Sequence, residues 1–192
     1  AQDSDGASGT DSESVQVVAV ANVAPTVPAA ADQSSDDGDN ASFDLRSFSD
    51  PRATDPPRHV DVDWGDGSTH TEFDTSVRGA LGSKSHQYAD GPDDHVVTVT
   101  VTDKNGASDF KTFNVHVNNV APTVTLDPTN DQSVDEGTTH TYSYTIYDPG
   151  VDTFTASADY PDCDSGGADG TLVPGSYVPT TSGGSFKCAF PD

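Results

Sequence analysis

His59-Val-Asp-Val-Asp-Trp-Gly-Asp-Gly-Ser68 is the stretch from which the fold is read. Val60 and Val62 alternate with Asp61 and Asp63, so a short strand carries one apolar and one acidic face. It runs into Trp64, the single tryptophan, and Gly65-Asp66-Gly67 then marks a tight turn. Further on, Val97, Val99 and Val101 alternate with Thr98, Thr100 and Thr102. Asp103-Lys-Asn-Gly106 turns that run into Phe113-Asn-Val-His-Val117. Together these segments predict a half-buried antiparallel meander. Upstream, Phe43, Leu45 and, past an irregularity, Phe48 make an inward-facing set. Residues 69–85 are polar and contain glycine, and predict a hairpin.

Several features resemble the polycystic-kidney-disease (PKD) domain, an immunoglobulin-like β-sandwich of secreted and surface proteins. They are Trp64-Gly-Asp-Gly-Ser68, the His86/Tyr88 pair, Gly91, Val99-Thr-Val-Thr-Asp103 and the following Asn105-Gly106. The resemblance covers residues 23–120. It implies a binding or spacer module rather than a catalytic one, and a packing role for His86 beside the tryptophan strand.

Composition narrows the partners. Of 192 residues, 32 are Asp or Glu against 8 Lys or Arg, for a net charge of −24. Nucleic acid needs a basic footprint, so it is excluded as an expected partner, and an anionic membrane would repel the chain. Such a surface attracts cations or suits high salt. With 32% hydrophobic residues the chain can fill two narrow valine-rich sandwiches rather than one large core. Heptads, long amphipathic helices and runs long enough to span a membrane are absent, so membrane insertion is not expected. Two cysteines in this Thr/Ser/Asp-rich chain fit an oxidising compartment, outside the cell or on its surface.

The chain also repeats itself. Ala21-Asn-Val-Ala-Pro-Thr-Val27 mirrors Asn118-Asn-Val-Ala-Pro-Thr-Val124, and Ser14-Val-Gln-Val-Val-Ala-Val20 parallels the strand around Phe113–Val117. Three segments follow: residues 1–22, a strand-bearing arm with Val15, Val17, Val18 and Val20 as a donor strand; residues 23–120, a complete PKD-like domain; and residues 121–192, an incomplete one. In the last, Val124-Thr-Leu126 predicts a strand, Asp135-Glu-Gly137 a turn, and Thr141–Tyr147 an alternating strand. Phe154–Asp162 takes the place of the tryptophan strand, and Ser185–Phe190 predicts a further strand. Two closing strands are lacking. The expected architecture is therefore all-β, in tandem immunoglobulin-like sandwiches, with the second completed by a strand from a neighbour. A tandem fragment of a longer chain is the other reading of the same repeat.

Candidate sites are few. Asp50, Asp55, Glu136, Asp148 and Asp152 lie in loops at matching places of the two domains, and Asp103 and Asn105 in the later turn, with Asp3 and Asp5 as counterparts. Crowded carboxylates repel one another without a cation, and calcium takes six to eight oxygens, so calcium is the expected cofactor. The alternative is a solvated acidic surface chosen for turn chemistry. The link Asn118–Pro122 resembles the calcium-sharing junction of cadherin-like repeats. Asp3-Ser-Asp-Gly6 is too short for an EF-hand. Cys163 and Cys188 predict a disulfide whose loop is worth about 3 kcal/mol. Asn40-Ala-Ser42 is the N-glycosylation sequon. Histidines 59, 70, 86, 95, 116 and 140 show no metal-ligand spacing.

No hydrolase, phosphate-loop or dinucleotide motif occurs, so an enzyme is not expected. The function read from the residues is an extracellular structural protein that assembles with copies of itself, head-to-tail, into filaments stiffened by calcium. The competing readings are a polysaccharide- or protein-binding accessory module, with Tyr142, Tyr144, Tyr147 and Tyr160 as platform candidates, and an adhesin or stalk repeat.

Overall fold

The structure is a computed structural model and describes residues 4–6, 21–52, 56–157, 160–164 and 170–192. Asp3, Asp55 and the donor-strand residues Val15, Val17, Val18 and Val20 lie outside these. The described residues are all-β, and no helix among them is long and apolar enough to cross a membrane.

Nine strands build the first core: β1 (Gln33–Asp36), β2 (Asn40–Asp44), β3 (Ser47–Phe48), β4 (Arg58–Asp63), β5 (Thr71–Thr75), β6 (Gly79–Ala80), β7 (Ser83–Gln87), β8 (Asp93–Thr102) and β9 (Ser108–Asn118). The larger layer has the order β1-β9-β8-β4-β5, antiparallel except where β1 runs parallel to β9. The pairs β2–β7 and β3–β6 supply residues to the facing layer.

Alternation puts the expected residues inside. Val60, Val62, Val97, Val101, Val115 and Val117 are fully buried and meet Phe43, Leu45, Phe48 and Val27. The irregularity before Phe48 is Arg46, at φ 64°, which resets the alternation so that Leu45 and Phe48 both point inward. Trp64 is buried and donates its indole N–H to Thr71 Oγ1 at 3.0 Å. His86 stacks on it at 4.5 Å, and Tyr88 donates to the Trp64 carbonyl. The turn after Trp64 needs glycine at position 65. Its φ is 78°, and a Cβ there would lie 2.5 Å from the Val96 carbonyl oxygen.

Residues 69–85 are not one hairpin. Thr71–Thr75 pairs with β4, whereas β6 and β7 pair with β3 and β2. Phe73 packs on the core from β5 and Leu81 is buried within it, so the segment follows its apolar contacts to two layers.

Five strands form a second sheet: β10 (Thr123–Leu126), β11 (Thr138–Tyr147), β12 (Thr171–Leu172), β13 (Val178–Thr180) and β14 (Gly183–Phe190), ordered β10-β11-β14-β12 with β13 also on β14. Its core is small: Tyr144, Phe186 and Cys188, with Tyr142, Ile146, Tyr177 and Phe190 against them. The expected strand over Phe154–Asp162 does not form in its described residues. A strand needs neighbours for its backbone groups. β4 has β5 and β8 on its two sides, and no described strand flanks residues 151–157.

Candidate functional site

Two copies of one acidic loop dispose of their charge differently. In the first, Asp50 follows β3 and is buried. Arg58, at the start of β4, donates Nε–H to Asp50 Oδ2 at 2.7 Å, with the two side chains 1% and 0% exposed. Asp50 Oδ1 accepts from the Arg52 backbone N–H, Arg58 Nη2 donates to the Arg52 carbonyl, and Arg78 donates to the Asp50 carbonyl. A guanidinium thus occupies the place a metal would take. Asp103 is also buried, its Oδ1 accepting from the N–H groups of Asn105 and Ala107 and its Oδ2 from Asn22. Burial would raise its carboxyl, but these donors outweigh it and hold the group below the ordinary range.

The second loop, Asp148-Pro-Gly-Val-Asp152, follows β11 and has no such arginine. Asp148 Oδ1 accepts from the Gly150 N–H, while Asp148 Oδ2 and Asp152 Oδ2 are buried without a donor. Facing them are two carboxylates of the first core. Asp37, between β1 and β2, is fully buried; its Oδ1 accepts from the Val120 N–H at 3.1 Å and its Oδ2 has no partner. Asp90 lies just past β7. One oxygen each of Asp37, Asp90 and Asp152 falls within 4.8 Å of the others, the one such convergence of three ligating side chains among the described residues. Burial first, then the charges of Asp148, Asp90 and Asp37, and last a hydrogen bond shared with Asp148, push the Asp152 carboxyl above its usual range.

Backbone contacts bring the loops together. Val151 N–H donates to the Ala89 carbonyl at 3.0 Å, and Gly38 N–H to the Tyr88 carbonyl at 2.8 Å. A Cβ on Gly38, at φ 68°, would strike the Pro149 carbonyl, so glycine is what lets the two loops touch.

The second sheet presents a different feature. In register, Val124 lies opposite Ile146 and Leu126 opposite Tyr144, so all four share the face that also carries Phe186, Cys188 and Phe190. Val124 and Leu126 are each 60% exposed, against 0–3% for the valines of the first core. A hollow of about 400 Å³ on this face is lined by residues including Leu126, Val134, Tyr142, Phe186, Cys188 and Phe190. Cys163 and Cys188 are joined, with Cα atoms 5.7 Å apart.

Of the metal-ligand candidates, Asp148 and Asp152 come together, whereas Asp50 and Asp103 are engaged by protein donors. Asn105 is exposed and donates to Asn22, and Glu136 is exposed in the turn before β11. Asp37 and Asp90 escaped notice because neither belongs to the repeated Asp-Pro loop; the paired acidic turns flanking Gly38 and Gly91 were their only signal. Asn40 is exposed at the start of β2. His59, His70, His86, His116 and His140 each sit within 3.1 Å of an aspartate. Tyr142 and Tyr144 pack on Phe186, while Tyr147 and Tyr160 stand exposed apart from that cluster. No family model matches the chain, and no curated protein matches it either.

Proposed function

We propose that the chain is an extracellular structural module of PKD-like, immunoglobulin-type sandwiches that assembles head-to-tail by strand complementation. The observation that carries this is the uncovered apolar face of the second sheet. Val124 and Leu126 project from β10 into solvent on the face that holds the second core, at a surface where the first core places a second layer. Apolar area of this kind, beside unpaired strand edges, invites a partner strand.

The occupant is a second copy's arm, the strand bearing Val15, Val17, Val18 and Val20, of which Val18 and Val20, matching Val115 and Val117 of β9, face the hollow. Residues 14–20 carry the alternation of the β9 segment that closes the first core, and the same Asn-Val-Ala-Pro-Thr-Val sequence follows both. A contact between unlike surfaces does not close on itself, so the product is a filament. The disulfide accords with life outside the cell. That the junction sequence occurs twice also favours a second reading, in which the complementing strands belong to the next repeat of one long polypeptide.

Electron microscopy and velocity sedimentation of the purified chain test the proposal. Filaments are expected, lost on deleting residues 1–22 or on Leu126→Asp, and capped by excess peptide spanning residues 12–23. A monomer that ignores the peptide refutes assembly. An intact native mass several times that of this chain selects the tandem reading.

A further inference from the structure

We propose that Asp37, Asp90, Asp148 and Asp152 form a calcium-type cation site that fastens the first core to the second. The acidic cluster does not stand alone as evidence. Asp37 is fully buried, and its Oδ2 has no hydrogen-bond partner and lies, with Asp152 Oδ2, around the same point above Gly150; the Oδ2 atoms of the half-buried Asp148 and Asp152 are also buried without a partner. A buried carboxylate oxygen without a donor is costly unless something positive completes it. Among the described residues, no Lys, Arg or His pairs with any of the four.

The chain shows what completion looks like. The equivalent acid of the first loop, Asp50, is neutralised by Arg58 at 2.7 Å. The second loop has no arginine and instead meets Asp37 and Asp90 of the first core, a concentration of negative charge that a bound cation would neutralise as Arg58 neutralises Asp50. The ligand set is all oxygen, without Cys or imidazole, which selects a hard cation over zinc or copper. Ligands come from three separate loops, an irregular arrangement that suits calcium better than the strict octahedron of magnesium. Gly150 preserves the space: a Cβ there would sit 2.5 Å from Asp37 Oδ2. Because Asp37 and Asp90 belong to one core and Asp148 and Asp152 to the other, a bound ion fixes the angle between them. The site does not depend on filament assembly.

The test is calorimetric titration of the chelator-stripped full chain with CaCl2, alongside its thermal unfolding. Saturable binding of calcium in preference to magnesium is expected, with the melt raised by calcium and lowered again by chelator. Asp152→Asn and the exposed Asp90→Asn, which leaves the packed interior alone, should each weaken binding at least about tenfold, while Asp74→Asn leaves it unchanged. In chelator, Asp152→Asn should melt at or above the wild-type temperature, because repulsion is relieved; in calcium it should melt below. Absence of saturable heat up to about 10 mM calcium, well above the weak end of extracellular calcium modules, overturns the site. So does unaltered affinity in both Asn variants, or magnesium bound as tightly as calcium.

Discussion

Arg58→Met isolates the interaction on which the first acidic loop depends. The substitution keeps an unbranched side chain at a site 1% exposed but removes the guanidinium from Asp50, whose side chain is fully buried. Asp50 then keeps the Arg52 N–H on Oδ1, while the Arg52 carbonyl loses the Nη2 donor. Stranding a buried carboxylate in this way costs about 3–5 kcal/mol, far more than loss of an exposed pair at ~0–1 kcal/mol. Asp50→Asn in the same background removes the charge while leaving an oxygen for the Arg52 N–H, and should recover about half of the loss. The double variant is thus expected to be about 2 kcal/mol more stable than Arg58→Met, and the coupling energy of the cycle is that recovery plus the cost of Asp50→Asn alone. Urea unfolding followed by the fluorescence of Trp64, which sits in the same core, reads these changes directly. A single-variant loss under ~1 kcal/mol, or a double variant no better than Arg58→Met, would refute the reasoning. Either result would mean that water reaches Asp50 once the arginine is gone.

Other perturbations follow from the same structure. Reducing the Cys163–Cys188 bond should destabilise the second core by about 3 kcal/mol and leave the Trp64-reported transition in place, which differential scanning calorimetry with and without reductant would show. Burial would raise the Asp66 carboxyl, but Ser68 and His86 together lower it from 3.8 to about 2. The unfolded chain therefore takes up the proton first, so this contribution to stability is complete above pH 4 and is lost as pH falls toward 2; Asp66→Asn should flatten that part of the profile. Gly65→Ala should cost at least about 1–2 kcal/mol, because an L-residue at φ 78° is strained and its Cβ meets the Val96 carbonyl. A neutral outcome in denaturant unfolding would show that the turn can relax.

Much of the first core was legible because alternation is written locally. Val60 and Val62 face inward for the same reason that Asp61 and Asp63 face outward: a strand turns successive side chains to opposite sides. The inward set of Phe43, Leu45 and Phe48, the burial of Trp64 and the β8–β9 hairpin follow from that rule and from turn residues at known places. The tryptophan-like strand over Phe154–Asp162 was misjudged because the same local rule says nothing about whether a neighbouring strand exists to bind its backbone. Hairpin chemistry at 69–85 was visible, but not that its two arms part to different layers.

The candidate cation site was half legible. Asp148 and Asp152 stood out by echoing Asp50 and its loop, and the sequence alone could count such carboxylates and show that they recur. Whether a given one meets an arginine, a backbone N–H or only other carboxylates is a matter of which distant loops arrive beside it. Arg58 is buried against Asp50 eight residues away, and Asp37 is buried with the Val120 N–H donating to its Oδ1. Strand placement and core composition were set by residues two apart along the chain, where geometry is nearly invariant. The surroundings of Asp37 were decided across long separations, 83 residues to Val120 and further still to Asp152, where only the assembled layers bring the groups together.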